Sequence, residues 1–299
     1  MSKGISIIIC TYDRGELLEE CLLSFTRQTI SPVNIEFIIV DNKESANTRR
    51  VTDQFRNKLS AVKYFTENST GLGYARNRGI DESLYDWICY VDDDAKVHED
   101  FLHRLLYVIE NFSFDAFGGM FYPWYRTPKP AWLPDEFGRM NLLRDSTGPL
   151  KYGQTVAGGI CAYKKDKLIA AGKFPVDIGM RGETVGYGEE DFVLRKMWQQ
   201  GNVIGFDPLW KMDHLVAEYK YTLKWQLKRS FAKGRDGQIQ KGPLKQSQKM
   251  AVVTKGIATV PYLFVKNSFN FIWREYYREN YLLDSLRYCY RMFGKASVK

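Results

Sequence analysis

The stretch Trp87-Ile-Cys-Tyr-Val91, followed directly by Asp92-Asp93-Asp94, is the most informative part of the chain. Five apolar residues in a row predict a short buried strand, so the three acids lie at its C-terminal end. In open α/β sheets, ligands bind at that edge. Adjacent carboxylates repel one another, and a divalent cation relieves the repulsion; oxygen ligands favour magnesium or manganese. Taken alone, the triplet is equally consistent with an acidic turn in water.

Composition and length limit the classes of protein to consider. A chain of 299 residues holds one large domain, or one domain with an appendage. The five cysteines have no CxxC spacing, and Cys10 and Cys89 fall in predicted strands, which is typical of reduced thiols in a cytoplasmic protein. No stretch reaches the roughly 18 apolar residues of a spanning helix, and the first residues resemble a strand rather than a signal peptide.

Strands and helices alternate through the first half of the chain. Strands are predicted at residues 5–10, 35–40, 62–65 and 87–91, with helices between them, and a last strand at residues 203–206. This alternation implies right-handed βαβ units, so we expect an α/β fold with a mostly parallel central sheet flanked by helices. Residues 121–149 show no period and are rich in proline, which favours a substrate-facing loop.

Charge is distributed unevenly along the chain. Residues 220–299 contain 17 Lys and Arg against four Asp and Glu, a net charge of +13, whereas the whole chain has +8. We therefore predict a main domain over residues 1–235 and a basic, aromatic, helical C-terminal extension over residues 236–299. Aromatic residues interleaved with Lys and Arg favour an anionic membrane surface as partner. A plain packed appendage ranks second, and nucleic acid ranks a distant third.

Five motifs occur in an informative order. They are Ser6-Ile-Ile-Ile-Cys-Thr-Tyr-Asp-Arg14, Ile38-Ile-Val-Asp-Asn42, Asn68-Ser-Thr-Gly-Leu-Gly-Tyr-Ala-Arg-Asn-Arg-Gly79, Tyr90-Val-Asp-Asp-Asp94, and Gly188-Glu-Glu-Asp-Phe192 with the helical stretch that follows it to Gly201. Together they resemble the inverting family 2 glycosyltransferases, which have a single-domain GT-A fold, the nucleotide-diphospho-sugar transferase fold. The resemblance covers roughly residues 4–235, and the ordered set is far more specific than any single motif.

The resemblance implies a set of residues that bind the donor. The family's positions that hold the nucleotide base and the ribose correspond to Thr11, Tyr12, Asp13 and Asp41. Arg76 corresponds to a family residue that lies near the nucleotide and helps to order the donor. In the family's Asp-x-Asp motif, Asp92 matches the acid near the ribose or sugar, Asp93 the variable middle residue near the donor sugar, and Asp94 the metal ligand. The expected cofactor is Mn2+ or Mg2+.

Other positions have two interpretations of similar weight. His214 matches a histidine that completes the metal shell or meets the diphosphate, although a lone histidine is as often structural. Gly158 and Gly159 match a glycine pair that lets the acceptor or donor sugar approach the backbone; a bulge is the alternative. Trp124 and Trp132 have the chemistry to stack on a sugar, but buried packing is at least as common for tryptophan.

The catalytic base depends on how the last motif is aligned. Alignment without gaps on Gly188 and Gly201 places Glu190 at the family's base position. A carboxylate there accepts the proton of the acceptor hydroxyl. We select Glu190, with Asp191 beside it contacting the acceptor.

Two other alignments remain open. Alignment on Arg195 favours Glu189 as the base, and Asp191 takes the position only if the helix is shortened. A third interpretation gives these acids no catalytic role, since negative charge simply favours a helix N-terminus.

The resemblance implies metal-dependent, inverting transfer of a sugar from a nucleotide-diphosphate sugar to a hydroxyl of a glycan or lipid-linked acceptor. The expected donor is a UDP-sugar. We expect it in surface glycan assembly, in the cytoplasm, including the inner face of the cell membrane. One alternative is a sugar-nucleotide pyrophosphorylase, but the glycine-rich loop of those enzymes is replaced here by Thr11-Tyr-Asp-Arg14. The other is a nonenzymatic basic binding protein with vestigial acids.

Overall fold

A mixed β-sheet organises the first part of the chain in the computed structural model, which describes residues 2–29, 34–182, 184–273 and 276–298. Within these residues the strands are β1 (Ser2–Thr11), β2 (Ile35–Asp41), β3 (Val62–Thr66), β4 (Tyr85–Val91), β5 (Ala95–Val97), β6 (Ala116–Trp124), β7 (Gly148–Pro149), β8 (Ile160–Lys164) and β9 (Ile204–Leu215). The helices around them are α1 (Gly15–Phe25), α2 (Ala46–Phe55), α3 (Leu72–Glu82), α4 (Phe101–Asn111), α5 (Lys165–Ala170) and α6 (Glu189–Gln199).

Four strands form the parallel half of the sheet in the order β3-β2-β1-β4. Thr11 at the end of β1 pairs with Asp41 at the end of β2, and Ile8 pairs with Tyr90 of β4. Helices α1, α2 and α3 connect these strands, as expected for βαβ units. The parallel arrangement brings the C-terminal ends of β1, β2 and β4 to the same edge.

Antiparallel strands complete the sheet beyond β4. Strand β8 runs antiparallel to β4, with Val91 opposite Ile160, and β6 follows beside it. Strand β9 continues well past the predicted residue 206, to Leu215. It pairs in parallel with β6 and antiparallel with the short β5, where Ala95 lies opposite His214. The start of β8 and the end of β9 therefore lie at the edge of the sheet where β4 ends.

Alternation along the strands divides the core between the two faces of the sheet. Ile7 and Ile9 of β1 pack with Leu18, Val51, Phe101 and Leu105 from α1, α2 and α4. Ile8 between them packs on the other face, with Ile80, Leu168 and Val193 from α3, α5 and α6. A side-chain period of two residues, with helices covering both faces, explains the uninterrupted apolar runs Ile7–Cys10 in β1 and Phe37–Val40 in β2.

The chain forms two compact units. The first contains the chain up to Trp124, Gly138–Asp177 and Glu189–Leu215. The second contains Tyr125–Phe137, Ile178–Gly188 and the chain from Val216 onward, with helices α7 (Leu223–Ile239), α8 (Gln246–Trp273) and α9 (Arg278–Ala296). The predicted domain boundary after residue 235 falls inside α7. Among the described residues, no helix is long and apolar enough to cross a membrane.

Two glycines test how tightly the elements pack. At Gly119 an added Cβ would lie 2.3 Å from the carbonyl oxygen of Trp210 and 2.7 Å from Ile160 Cδ1. It stands where the register of β6 against β9 shifts between Gly118 and Met120. At Gly237 in α7, no atom lies within 4 Å of an added Cβ.

We predict that Gly119→Ala lowers the free energy of unfolding by about 1–3 kcal/mol, because the neighbouring strand has to move. The matched variant Gly237→Ala should raise it by about 0.5–1 kcal/mol, because alanine loses less backbone entropy in a helix. Urea denaturation followed by circular dichroism measures both. An unchanged midpoint for Gly119→Ala would contradict the close approach of β6 and β9.

Candidate active site

The acid triplet follows β4 at the edge where the parallel strands end. The side chains of Asp93 and Asp94 are only 4% and 9% exposed, whereas Asp92 is 34% exposed. The backbone N–H of Asp92 donates to the carbonyl of Gly159 (3.3 Å), and the N–H of Ala95 donates to the carbonyl of Asp92 (3.2 Å). This tight turn into β5 buries two carboxylates and leaves one facing solvent.

His214 joins the triplet from β9. Its Nε2 atom lies 3.2 Å from Asp94 Oδ1 and 3.6 Å from Asp92 Oδ2. The pairing of β5 with β9 and a hydrogen bond from the N–H of Leu215 to the carbonyl of Asp94 (3.0 Å) fix this position. One ligand atom from each of Asp92, Asp94 and His214 lies within 4.8 Å of the others. Two carboxylates and one imidazole fit a manganese or magnesium ion.

Arg14, in the loop after β1, forms ion pairs with two carboxylates of the triplet. Its Nη1 atom is 3.2 Å from Asp93 Oδ1 and 3.2 Å from Asp94 Oδ2, and its side chain is 40% exposed. Burial raises the pKa of Asp93 to about 7; the charge of Arg14 opposes this shift and that of Asp94 adds to it. The guanidinium of Arg14 thus places positive charge against the triplet, and the imidazole of His214 gives it a second polar partner.

The predicted base and ribose positions lie at the ends of β1 and β2. Thr11 pairs with Asp41, and both residues are buried. Asp41 accepts hydrogen bonds from the N–H groups of Lys43 (2.9 Å) and Ser45 (2.8 Å), and from the hydroxyl of Tyr64 (2.9 Å). Its carboxylate therefore holds the loop after β2 in place.

The loop after β1 continues this surface. Asp13 is exposed and has a left-handed backbone, with φ of 54°, while Tyr12 is half-buried. The ring of Tyr12 lies 5.5 Å from Lys43 Nζ. An aromatic ring and an exposed carboxylate at a strand end are suited to a base and a ribose, respectively.

Arg76 on α3 connects two acidic clusters. Its side chain is 4% exposed, and its guanidinium lies 3.2 Å from Glu189 Oε1, 4.0 Å from Glu190 Oε2 and 4.0 Å from Asp92 Oδ1. Burial disfavours the charged form, yet the attraction of Glu189, Glu190 and Asp92 keeps the pKa of Arg76 above its usual value. Arg76 is therefore a fixed buried cation that holds α6 next to the end of β4.

The three acids at the start of α6 have different surroundings. Glu189 is buried and paired with Arg76, whereas the side chain of Glu190 is 23% exposed. Burial, followed by the neighbouring charge of Glu189, raises the pKa of Glu190 to about 8. Asp191 is half-buried in the same turn. Glu190 therefore combines access to solvent with a strongly raised pKa.

The glycine pair before β8 makes room for these charged groups. An added Cβ at Gly158 would lie 2.6 Å from Arg76 Nη2, and one at Gly159 would lie 2.0 Å from Asp92 Oδ2. Both positions are therefore glycine for a local reason, since a side chain would collide with Arg76 or Asp92. The sequence-based prediction that these glycines let a sugar approach the backbone is a separate reason. Trp124 is half-buried at the end of β6, with Lys96 Nζ 3.7 Å from its ring centroid.

Comparison with known proteins identifies the family. Residues 6–169, more than half of the chain, match the sequence model described as Glycosyl transferase family 2. The chain belongs to that family. The predicted GT-A fold is also confirmed by the solved structures that resemble it.

Two curated relatives cover most of the chain. The chain is 26% identical over 237 residues to the glucosyl-dolichyl phosphate glucuronosyltransferase of Haloferax volcanii, covering 77% of this chain and 75% of the relative. It is 25% identical over 232 residues to the succinoglycan biosynthesis protein ExoM of Rhizobium meliloti, covering 77% and 72%. Each match covers about three quarters of both chains, so the similarity is not confined to a short segment.

Solved structures share the fold at lower identity. The mannosyltransferase PcManGT of Pyrobaculum calidifontis, in complex with GDP-Man and Mn2+, has a TM-score of 0.65 at 16% identity and covers 98% of this chain and 86% of its own. Residues 1–349 of S. aureus TarS, in complex with UDP-GlcNAc, have a TM-score of 0.58 at 16% identity and cover 76% and 65%. At this identity the likeness shows the fold alone.

Two features of this family 2 site escaped sequence reasoning. Arg14 entered only as part of a motif, although its position at the end of β1, the strand beside β4, places it near the triplet. The ion pairs of Arg76 with Glu189 and Glu190 join residues more than 110 positions apart, which local patterns do not predict. In both cases the missing information was which elements lie side by side in the fold: β1 beside β4, and α3 beside the start of α6.

The raised pKa of Glu190 makes stability depend on pH. Because the pKa is about 8 in the folded chain and 4.5 ordinarily, ionisation costs the folded state more than the unfolded state. The free energy of unfolding should therefore fall as pH rises from about 4.5 to about 8. We predict that Glu190→Gln gains stability relative to wild type between pH 5 and pH 8.

Urea denaturation at both pH values, with Glu110→Gln on the exposed side of α4 as matched control, measures this effect. A difference between wild type and Glu190→Gln that stays constant with pH would contradict the raised pKa.

The arrangement of Asp92, Asp94 and His214 predicts metal-dependent nucleotide binding. Asp94→Asn should abolish the enhancement of UDP or GDP binding by Mn2+, because the ion loses a charged ligand. Isothermal titration calorimetry with and without Mn2+ measures the enhancement. Asp213→Asn, on the neighbouring and 41% exposed side chain, is the control and should retain it. Equal enhancement in wild type and Asp94→Asn would contradict the metal site.

Proposed function

We propose that the chain transfers a sugar, with inversion, from a nucleoside diphosphate sugar to a hydroxyl of a saccharide acceptor. The observation that carries this proposal is the pair of acidic clusters with Arg76 between them. One cluster, at the end of β4, has the ligand chemistry for a cation; the other, at the start of α6, contains a carboxylate with a raised pKa. Inverting transfer needs these two functions at separate places.

On the donor side, Asp94 and His214, together with Asp92, would hold Mn2+ or Mg2+. When bound, such an ion neutralises the charge of the leaving diphosphate. We assign Thr11, Tyr12, Asp13 and Asp41 to the base and ribose, because they line the ends of β1 and β2 beside the acid triplet.

Asp92 and Asp93 are proposed to contact the ribose or the donor sugar. Arg76 orders this part of the site: its ion pairs fix the orientation of Asp92 relative to α6.

Glu190 is the proposed base. The acceptor hydroxyl loses its proton to the Glu190 carboxylate while its oxygen bonds to the anomeric carbon. The bond from that carbon to the diphosphate oxygen breaks, and the electron pair leaves with the nucleoside diphosphate. A base with a pKa of about 8 holds the proton well in the transition state.

Asp191, Gly158, Gly159 and Trp124 are proposed to contact the acceptor or the sugar. Glu189 is the alternative base, but its buried ion pair with Arg76 makes it a positioning residue in this proposal.

The acceptor that we propose is a lipid-linked saccharide. The Haloferax volcanii relative, whose name specifies a glucosyl-dolichyl phosphate as acceptor, is similar over about three quarters of both chains. For the donor we propose a UDP-sugar, and the GDP-mannose complex of the Pyrobaculum calidifontis structure makes GDP-sugars the necessary comparison.

A donor panel tests the proposal. Binding of UDP-sugars and GDP-sugars is measured with Mn2+ present and absent, and release of the nucleoside diphosphate is followed with and without a polyprenyl-phosphate-linked sugar. We expect one nucleotide class to bind in a metal-dependent manner and the acceptor to accelerate release. Absence of binding by every nucleotide sugar would overturn the proposal.

Glu190→Gln should keep donor affinity within about twofold yet lower the rate of transfer by about 10²–10⁴-fold, because the amide accepts no proton. The rate is measured as acceptor-dependent nucleoside diphosphate release, and donor affinity by calorimetry on the same preparation. Asp191→Asn serves as the neighbouring control and should raise the KM of the acceptor more than it lowers kcat. Normal turnover by Glu190→Gln, with an inactive Glu189→Gln or Asp191→Asn, would assign the base to another residue.

A further inference from the structure

Helix α8 exposes large apolar side chains along one side. Seven of them are more than half exposed, from 55% for Ile257 to 75% for Val265: Met250, Ile257, Tyr262, Val265, Phe269, Ile272 and Trp273. With 3.6 residues per turn, these positions fall within one half of the helix circumference. We call this set the α8 apolar face.

The opposite side of α8 packs on α9 within the second unit. Gly256 is buried, and an added Cβ there would lie 3.0 Å from Met292 Cβ of α9. Asn267 is also buried and donates from Nδ2 to Ser285 Oγ of α9 (3.0 Å). Phe264 also faces α9, with its ring centroid 5.3 Å from that of Tyr281, so α8 carries apolar side chains on both sides. A helix whose outer side faces water usually carries polar residues there.

Basic residues border this face without acidic ones. Residues 246–273 contain three lysines and no aspartate or glutamate, and Lys255 and Lys266 are exposed. Nearby, burial and then the positive charges of Arg291, Lys241 and Lys255 lower the pKa of Lys295. Cations that repel one another in this way favour an anionic partner.

We propose that the α8 apolar face inserts into the interface of an anionic lipid membrane, with Lys255 and Lys266 against lipid phosphates. An acid-free helix of 28 residues is roughly 42 Å long and offers both features of an interfacial helix, apolar area and basic charge. A second copy of this chain fits less well, because it would bring lysines against lysines. Nucleic acid would leave the aliphatic side chains uncovered.

Aromatic side chains strengthen the choice of a lipid interface. Tyr262, Phe269 and Trp273 are 64%, 66% and 72% exposed at intervals along the same face. Tyrosine and tryptophan are enriched where hydrocarbon meets water, because their rings have an apolar body and a polar tip. This inference does not rest on the proposed transfer reaction, since lipid binding requires neither donor nor metal.

Flotation of the full chain with vesicles tests the proposal. Vesicles of phosphatidylcholine alone are compared with vesicles of phosphatidylcholine and phosphatidylglycerol, at low and at raised salt. We expect stronger binding to the anionic vesicles and graded release as salt increases, because salt screens the charges. Equal binding to both kinds of vesicle, or no binding to either, would overturn the proposal.

Matched variants locate the binding surface. The triple variant Val265→Ser, Phe269→Ser, Ile272→Ser should lower the partition constant by at least about tenfold, since each side chain loses apolar burial. Its control replaces by serine three apolar residues of the first unit that are 52–74% exposed, Leu84, Tyr152 and Leu209, and should bind as wild type. Wild-type binding by the α8 variant, or equal loss in the control, would contradict the assignment to this face.

Two further measurements separate the contributions of the lysines and of Trp273 to lipid binding. Lys255→Gln and Lys266→Gln together should weaken binding to anionic vesicles by roughly fivefold per lysine, whereas the exposed pair Lys58→Gln and Lys151→Gln should not. Vesicles should shift the tryptophan emission to shorter wavelength, and Trp273→Phe should remove that shift. A dimer that the α8 triple variant dissociates, without vesicle binding, would assign the face to a second copy instead.

Discussion

Repulsion among three consecutive carboxylates is the constraint on which the site depends. Two of them, Asp93 and Asp94, are buried at the end of β4, where negative charge is costly without compensation. The sheet places a cation or imidazole against them from two directions, Arg14 after β1 and His214 in β9. Because β1 lies beside β4 and β9 pairs with β5, the order of the strands decides whether Arg14 and His214 can reach the acid triplet.

The same charge balance extends to the second acidic cluster through Arg76. Its buried guanidinium lies within 4.0 Å of Asp92 and of Glu190, so the orientations of these two carboxylates are linked. Glu189 forms the shortest of these ion pairs; burial, followed by the negative charge of Glu189, raises the pKa of Glu190. Burial that costs stability thus creates a carboxylate able to exchange a proton near neutral pH.

Local patterns in the sequence predicted the parallel half of the sheet well, because apolar strands and periodic helices alternate there. They did not predict the antiparallel direction of β8 or the full length of β9, since Asp207 and Pro208 interrupt the apolar pattern of β9. Asp207 is nevertheless fully buried, with Arg104 Nε 2.5 Å from its carboxylate. A short window of neighbouring residues does not reveal an ion pair between residues so far apart in the sequence. Likewise, composition marked the C-terminal region as basic and aromatic, but only packing on α9 shows which side of α8 faces outward.

We propose that the triplet and His214 bind a divalent cation together with a nucleoside diphosphate. Electron paramagnetic resonance of Mn2+ tests it directly, because the sharp signal of the free ion is lost on binding. We predict one Mn2+ bound per chain, with tighter binding when UDP or GDP is added and, by linkage, tighter nucleotide binding when Mn2+ is present. A free Mn2+ signal that the chain leaves unchanged, with either nucleotide present or absent, would contradict a cation site at Asp92, Asp94 and His214.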